Sequence, residues 1–256
     1  MQDYKIVTVN TPVVKATKKN DSIALVRGKP LIYHKVFDIN EFIGEELSNV
    51  RGVNSVHYFP VVFGKLKRCL GADNDSIWDS NFRVGSYDFT KEGIIYKTCD
   101  QFPWYFNRNS FDILLEKCKD DENRERFVDS YLELMGLDIF MGQTDRGGNI
   151  MYEIHSDGEI TLSPLFDYEM SFDDEWFSMC GYVNDFFRCL TIDDYQRLMV
   201  KYPKLESIFK SYADVSIEER IRSMAHSRGF ILDEVDMEPY ERFDVATHKR
   251  LEKILK

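Results

Sequence analysis

The pattern of apolar and polar residues predicts short β-strands throughout the first hundred residues. Runs rich in β-branched and aromatic residues, bounded by glycine, proline or polar residues, are typical of strands. Such runs lie at residues 6–9, 23–26, 31–37, 58–63, 86–89 and 93–98. Asp38 follows the third run and is a good N-cap for a helix that reaches about Val50. We expect this β-rich half to end near residue 103.

The second half of the chain has mainly helical patterns. Apolar residues recur at helical spacing over residues 123–140, where Asp138 interrupts the rhythm. A shorter helix is predicted at 111–117. Amphipathic helices are predicted from Ile192 onward, and the last of them covers 245–255.

One hairpin is expected within this helical half. It covers residues 149–162, with a turn of polar residues and glycine at 155–158. A β-rich half followed by an α-rich half indicates an α+β fold with two lobes. We expect a β-rich N-lobe over residues 1–103 and an α-helical C-lobe over residues 104–256.

Composition excludes several classes of protein. Of the 256 residues 43% are hydrophobic, which is enough for a packed core, and the net charge of −11 argues against a general nucleic-acid binder. No apolar run approaches the roughly 20 residues that span a bilayer, and no signal-peptide pattern is visible. The five cysteines form no Cys-x-x-Cys pair, which favours reduced thiols. We expect a cytoplasmic protein, or one exported without a cleavable signal, that has no membrane span and does not bind nucleic acid directly.

A cluster of oxygen-bearing side chains surrounds a glycine-rich turn between the long helix and the hairpin. Asp145 and Asn149 belong to this turn, and Asp167 follows a strand 22 residues after Asp145. Carboxylate and amide oxygens are the ligands that Mg²⁺ prefers. One carboxylate can also orient a hydroxyl or accept its proton, as phosphoryl transfer requires. The alternative is an ordinary turn in which these residues have only structural roles.

Two motifs resemble the protein-kinase-like superfamily, in particular its HipA-like and phosphoinositide-kinase-like branch. That branch often has Asp-Arg-His-x-x-Asn in the catalytic loop, followed by an aspartate in a Pro-Leu-(Phe/Tyr)-Asp context. The corresponding segments here are Thr144-Asp145-Arg146-Gly147-Gly148-Asn149 and Ser163-Pro164-Leu165-Phe166-Asp167. The resemblance implies that Asp145 is the catalytic aspartate and that Asn149 and Asp167 bind the metal. The chain departs from the family pattern at Gly147, which replaces the histidine, and in its loop, which is one residue shorter.

The resemblance also implies nucleotide-binding positions in the first half. Lys35 lies on the third predicted strand, where a kinase-like fold places the lysine that binds the α- and β-phosphates; otherwise it is a solvated strand lysine. Cys99 belongs to the segment 96–102, where backbone groups of the hinge would read the adenine edge. No Gly-x-Gly-x-x-Gly loop joins the first strands, so the phosphates would be covered by Thr17, Lys18, Lys19, Asn20 and Ser22.

A glutamate on the helix after Asp38 is expected to pair with Lys35. Glu46 falls within the apolar stripe of this helix, whereas Glu41 and Glu45 fall outside it. A glutamate on a buried face is costly unless it is paired, which makes Glu46 a functional candidate. The resemblance also allows Glu41, because Asn-Glu is found at the start of this helix in the family. A partly exposed glutamate at the edge of the stripe is the third possibility.

These observations predict a HipA-like kinase. It would transfer the γ-phosphate of Mg-ATP to a Ser or Thr hydroxyl of a protein, itself included. The shortened loop and the absent glycine-rich loop motivate an alternative, a nucleotide-binding pseudokinase that acts as an interaction module. A third hypothesis is an enzyme of the same fold that transfers another group, such as AMP.

Overall fold

The structure is a computed structural model. It describes residues 38–63, 82–87, 89–104, 110–228 and 236–256, and the backbone of four strands that precede them.

A six-stranded mixed sheet occupies the first part of the chain. Its strands are β1 (Val7–Val9), β2 (Val14–Lys15), β3 (Ser22–Ala24), β4 (Ile32–Val36), β5 (Tyr58–Phe63) and β6 (Phe82–Tyr87). Their order is β1-β5-β6-β4-β3-β2, in which β1 and β5 are parallel and the other pairs antiparallel. Lys35 lies on β4 opposite Val84 of β6. The strand predicted over 31–37 is confirmed as β4. The strand predicted at 86–89 overlaps only the end of β6, which begins at Phe82.

A second sheet has three antiparallel strands in the order β7-β8-β9. These are β7 (Ile95–Thr98), β8 (Met151–Ile154) and β9 (Ile160–Leu162). The predicted hairpin is confirmed as β8 and β9. However, β7, which we expected to finish the β-rich half, pairs with β8 across more than fifty residues of sequence. A 3₁₀ turn at Cys99–Gln101 follows β7 directly.

Helices dominate the remainder of the described chain. They are α1 (Ile39–Ser48), α2 (Ser110–Leu115), α3 (Asp121–Met141), α4 (Asp174–Cys180), α5 (Ile192–Lys201), α6 (Lys204–Tyr212), α7 (Ile217–Arg228) and α8 (Glu238–Ile254). A short antiparallel pair, β10 (Tyr182–Val183) and β11 (Arg188–Cys189), follows α4. The pattern-based helices are confirmed, but α4 and this strand pair were not predicted. None of the described helices combines the length and the apolar character that crossing a bilayer requires.

The helix α1 begins where the sequence predicts but is buried differently. Asp38 is its N-cap and accepts a hydrogen bond from the backbone N–H of Asn40 at 2.8 Å. Glu41 and Glu45 are buried, whereas Glu46 is more exposed and lies 3.7 Å from Arg220 of α7. The single-stripe prediction for Glu46 was therefore wrong. The prediction assumed one buried face, but α1 packs against α7, β5 and α3, so several of its faces are covered.

Candidate active site

The loop with the first motif begins at a left-handed turn that only glycine fits well. Gly142 ends α3 with φ of 64°, and a Cβ at this position would lie 2.7 Å from a ring carbon of Phe243. Both the backbone conformation and the close packing therefore favour glycine. The turn ends the helix sharply and leads the chain into the segment that contains Asp145.

Gln143 connects the two aspartates through their backbones. Its side chain is fully buried; the amide nitrogen donates to the carbonyl oxygen of Asp167 at 2.8 Å, and the amide oxygen accepts from the N–H of Asp145 at 2.9 Å. A buried amide with both polar atoms bonded has little freedom to move. Gln143 thus fixes Asp145 and Asp167 relative to each other.

The backbone at Asp167 has an unusual conformation that its neighbours maintain. Its φ of 65° is uncommon for a residue other than glycine. The N–H of Asp167 donates to the hydroxyl of Tyr58 on β5, and the next N–H, of Tyr168, donates to both carboxylate oxygens of Glu41 at 3.2 Å. Strained residues of this kind cluster at functional sites. Elements distant in sequence therefore converge on Asp167.

The electrostatics of the site show that its carboxylates act on one another. Burial raises the pKa of Asp145, and the negative charges of Asp167 and Glu169 raise it further, against the lowering effects of Arg146 and the hydrogen bond from Asn149. Adjacent like charges disfavour ionisation, and a bound divalent cation would reverse that effect. The residues present therefore suit a hard cation.

Asn149 is held beside Asp145 by a local hydrogen bond. Its amide nitrogen donates to the carbonyl oxygen of Asp145 at 2.7 Å, which leaves its amide oxygen as the atom that can bind a cation. Within the described residues, no group of three or more histidine, cysteine or acidic side chains has an arrangement suited to a metal ion. A cation here would be bound by the carboxylate of Asp167, this amide oxygen and water or ligand oxygens.

The arginine of the motif has a buried partner that explains the interrupted helix pattern. Arg146 and Asp138 of α3 are both fully buried and form a salt bridge at 2.9 Å. Burial alone would lower the pKa of Arg146, but the charge and hydrogen bonds of Asp138 raise it, so the guanidinium stays charged. Arg146 also donates to the carbonyl oxygen of Phe166 at 2.7 Å. The pair anchors the Asp145 loop and the residue before Asp167 to α3.

Sequence reasoning missed two other residues that support the loop. Asp185 accepts a hydrogen bond from the N–H of Gly148 at 2.9 Å and from the hydroxyl of Tyr152 at 3.4 Å. Burial raises the pKa of Asp185. Gln143, described above, is the other. Their positions between elements gave no periodic signal that could have identified them.

The other predicted site residues are not all brought together. Lys35 is described only by its backbone on β4, and Thr17 and Lys18 lie outside the described residues. Cys99 is buried in the 3₁₀ turn after β7, and burial raises the pKa of its thiol. Glu46 faces Arg220 of α7. The structure thus gathers Asp145, Asn149 and Asp167, while Glu41 instead of Glu46 contacts the residue next to Asp167.

Comparison with known proteins bears on the fold. No protein-family profile and no curated protein matches the sequence. Among solved structures, the chain is similar to HipA of Shewanella oneidensis MR-1, solved with HipB and its operator DNA, with a TM-score of 0.54 and 13% identity. It is also similar to the proinflammatory kinase CtkA of Helicobacter pylori, with a TM-score of 0.55 and 11% identity. This chain has a protein-kinase-like fold.

The fold extends over nearly the whole chain. The similarity to HipA covers 95% of this chain but only 65% of that one, whereas the similarity to CtkA covers 97% and 96%. The Golgi casein kinase, solved with Mn/ADP bound, matches with a TM-score of 0.54 and 12% identity over 96% of this chain and 74% of its own. The resemblance indicated by the two motifs is confirmed at the level of the fold.

Proposed function

We propose that this protein is a two-lobed, HipA-like kinase that transfers the γ-phosphate of Mg-ATP to a Ser or Thr hydroxyl of a protein, itself included. The N-lobe would comprise residues 1–103 and the C-lobe residues 104–256. The observation that carries the proposal is the bridge through Gln143, which joins Asp145 and Asp167 in one site of a kinase-like fold. Phosphoryl transfer depends mainly on positioning and electrostatics, and a rigid pair of carboxylates provides both.

The two aspartates have different proposed roles. Asp145 would orient the substrate hydroxyl and accept its proton, and a raised pKa makes its carboxylate a stronger base. Asp167 and the amide oxygen of Asn149 would bind Mg²⁺. When bound, Mg²⁺ neutralises the charge of the phosphate oxygens. Gln143 and the Arg146–Asp138 pair would keep these groups in place.

On the side of the nucleotide, Lys35 would bind the α- and β-phosphates and Cys99 would lie in the segment that contacts adenine. We assign the role of positioning the nucleotide-binding residues to Glu41 in place of Glu46. Both oxygens of Glu41 accept from the N–H of Tyr168, and Glu41 is fully buried. Because α1 directly follows β4 and contacts the residue after Asp167, a carboxylate here is well placed to link the strand with Lys35 to the metal-binding segment.

The decisive experiment is transfer of phosphate from γ-labelled ATP in the presence of Mg²⁺, with the labelled residue mapped by mass spectrometry. Asp145→Asn and Asp167→Asn should abolish labelling while the far-UV circular dichroism stays that of the wild type. Asp157→Asn is the matched control, since Asp157 lies in an exposed turn and pairs with Lys119. Wild-type labelling by both site variants would show that these aspartates are not the catalytic pair. An adduct with the mass of AMP would change the assigned reaction.

A pseudokinase is the second candidate, favoured by one contact. The amide of Asn149 is bonded to the backbone of Asp145 in a loop one residue shorter than the family pattern. If that bond persists with nucleotide bound, the amide oxygen has to bind the cation without the side chain reorienting. Binding of Mg-ATP without any transfer to the chain or to a generic protein substrate would support this candidate over the kinase.

A further inference from the structure

A groove lies between α4, the segment 190–195 and α8, apart from the loop that contains Asp145. Its volume is about 620 Å³, within the range of sites that bind drug-sized molecules or short peptide segments. The helix α4, which forms one wall of the groove, begins seven residues after Asp167. None of the residues that line it belongs to the site described above.

The helix α8 has one face that packs in the core and another that lines the groove. The buried residues of α8 are Phe243, Thr247, Leu251 and Ile254. A second stripe, with helical spacings of three and four, lines the groove, and it consists of Arg242, Val245, Ala246, Lys249, Arg250 and Lys253. Cations therefore stand at both ends of this stripe with apolar residues between them.

One of the four cations has a structural task. Arg250 is largely buried, pairs with Asp174 of α4 at 2.5 Å, and stacks over the ring of Phe177 with 4.2 Å from its guanidinium carbon to the ring centroid. Asp174 is the one acid among the lining residues. The pair neutralises one of the four cations, and the other three leave the net charge of these lining residues positive.

The other three cations are exposed along the groove. Arg242 has only a loose contact with Glu238, at 3.8 Å. For Lys249 and Lys253 no ion pair is found within the described residues, and Glu252, the acid next to Lys253, forms its ion pair with Lys256. In a chain with a net charge of −11, a row of three exposed cations is a local reversal of sign that suits an anionic partner.

Exposed apolar side chains lie on two walls of the same groove. Leu190, before α5, is 48% exposed, and Val245 of α8 is 55% exposed. Apolar groups that stay exposed beside a row of cations fit a partner with both an apolar side chain and negative charges.

We propose that this groove binds an extended acidic segment of a partner protein. An apolar side chain of the segment lies between Leu190 and Val245, and its carboxylates pair with Arg242, Lys249 and Lys253. These three cations span eleven residues of helix, or about 16 Å. That length matches about five residues of extended chain, whereas a compact anion would reach only one end of the row. The proposal does not depend on the chain being an active kinase.

The test measures binding of a fluorescein-labelled nonapeptide that alternates glutamate and leucine, by fluorescence anisotropy without nucleotide. Lys249→Glu/Lys253→Glu should weaken binding by roughly tenfold or more, since two attractions become repulsions. The matched control is Lys119→Glu/Lys210→Glu, which changes the net charge equally at exposed lysines outside the groove. This control should stay within about twofold of the wild type, after allowance for the general loss of charge attraction.

Two further measurements keep the proposal falsifiable whatever the stability of the charge variants. On the wild-type protein, a peptide with glutamine for glutamate should bind roughly tenfold more weakly, and Val245→Ser should weaken binding of the acidic peptide about fivefold. The proposal is overturned if the wild type does not bind the acidic peptide or if both lysine pairs weaken binding equally. It is equally overturned if a DNA duplex or anionic vesicles compete as strongly as unlabelled peptide.

Discussion

Gln143 shows how a single side chain can set the geometry of the site. It satisfies one backbone donor, at Asp145, and one backbone acceptor, at Asp167, and is itself inaccessible to solvent. No charge, periodicity or motif distinguishes this glutamine in the sequence. Its role depends on the approach of two segments that are more than twenty residues apart, and only the fold brings them together.

Replacement of Gln143 should therefore impair transfer more than folding. In Gln143→Leu, the N–H of Asp145 and the carbonyl of Asp167 lose their partners, at a cost of about 1–3 kcal/mol. We expect the chain to remain folded, with a lower Tm, and kcat for phosphate transfer to fall roughly tenfold or more, because the two carboxylates are no longer fixed. Gln196→Leu, on α5, is the matched control. Equal kcat in both variants would show that the bridge has no part in positioning.

Two of the three glutamates of α1, Glu41 and Glu46, make a second comparison at the level of residues. Glu41 is fully buried and bonded to the N–H of Tyr168, whereas Glu46 is partly exposed and faces Arg220 at 3.7 Å. We expect Glu41→Gln to reduce transfer strongly, chiefly through KM for ATP, and Glu46→Gln to leave it near normal. Steady-state kinetics over a range of ATP concentrations separates the two. The reverse result would return the pairing role to Glu46.

At the level of elements, α1 is joined to its neighbours by a buried ionic cluster. Glu45 bonds to Nδ1 of His57 at 2.7 Å, to the N–H of Tyr58 at 2.9 Å and to Arg228 of α7 at 2.9 Å. The guanidinium of Arg228 also donates to the carbonyl oxygen of Tyr58. This cluster ties α1 to the start of β5 and to the end of α7. The sequence could not show it, because the helix pattern placed Glu45 outside the buried stripe.

The same cluster predicts a pH dependence of stability. Burial alone would raise the pKa of Glu45, but the hydrogen bond with His57, the charge of Arg228 and the N–H of Tyr58 lower it below 4.5. A lowered acid pKa stabilises the fold above the unfolded value, and this contribution is lost as the pH falls through the folded value. At pH 7, Glu45→Gln should reduce the free energy of unfolding by about 1–3 kcal/mol. The difference from the wild type should shrink below pH 4.5.

Urea unfolding at pH 7 and at two values below pH 4.5 measures this difference. Glu46→Gln, one residue along the helix, is the control, and its half-exposed contact with Arg220 should contribute less than about 1 kcal/mol. If the difference in free energy of unfolding between Glu45→Gln and the wild type stays constant with pH, the charge of Glu45 does not stabilise this cluster.

The elements that the sequence predicted best are those with local signals. Asp38 at the start of α1, the long periodic run of α3 and the glycine turn after β8 are each set by neighbouring residues. The pairing of β7 with β8 was not predictable, because a strand pattern states that a strand exists and not which strand it joins. The helix α4 was missed for a different reason, because seven residues are too few for a clear periodicity.

At the level of the whole molecule, two short motifs indicated the fold although no protein-family profile matches the sequence. Asp145 and Asp167 were predicted as site residues because the chemistry of phosphoryl transfer restricts both residue type and spacing. The residues that hold them, Gln143 and Asp185, were not found, because many side chains can donate or accept the same hydrogen bonds. Residues that carry out chemistry are thus easier to predict from sequence than the residues that position them.

The net charge of −11 makes the cation the deciding factor for nucleotide binding. ATP alone meets the carboxylates of Asp145 and Asp167, whereas Mg-ATP brings a dication that reverses the local sign. Mg-ATP at about 100 times its Kd should stabilise the chain by about 2.7 kcal/mol, which is roughly 5–10 °C in Tm for a chain of this size. With EDTA, and in Asp167→Asn with Mg²⁺, we expect most of this shift to disappear. A shift that is equally large without Mg²⁺ would mean that the nucleotide binds away from the aspartates, and no shift under any condition would exclude both the kinase and the nucleotide-binding pseudokinase.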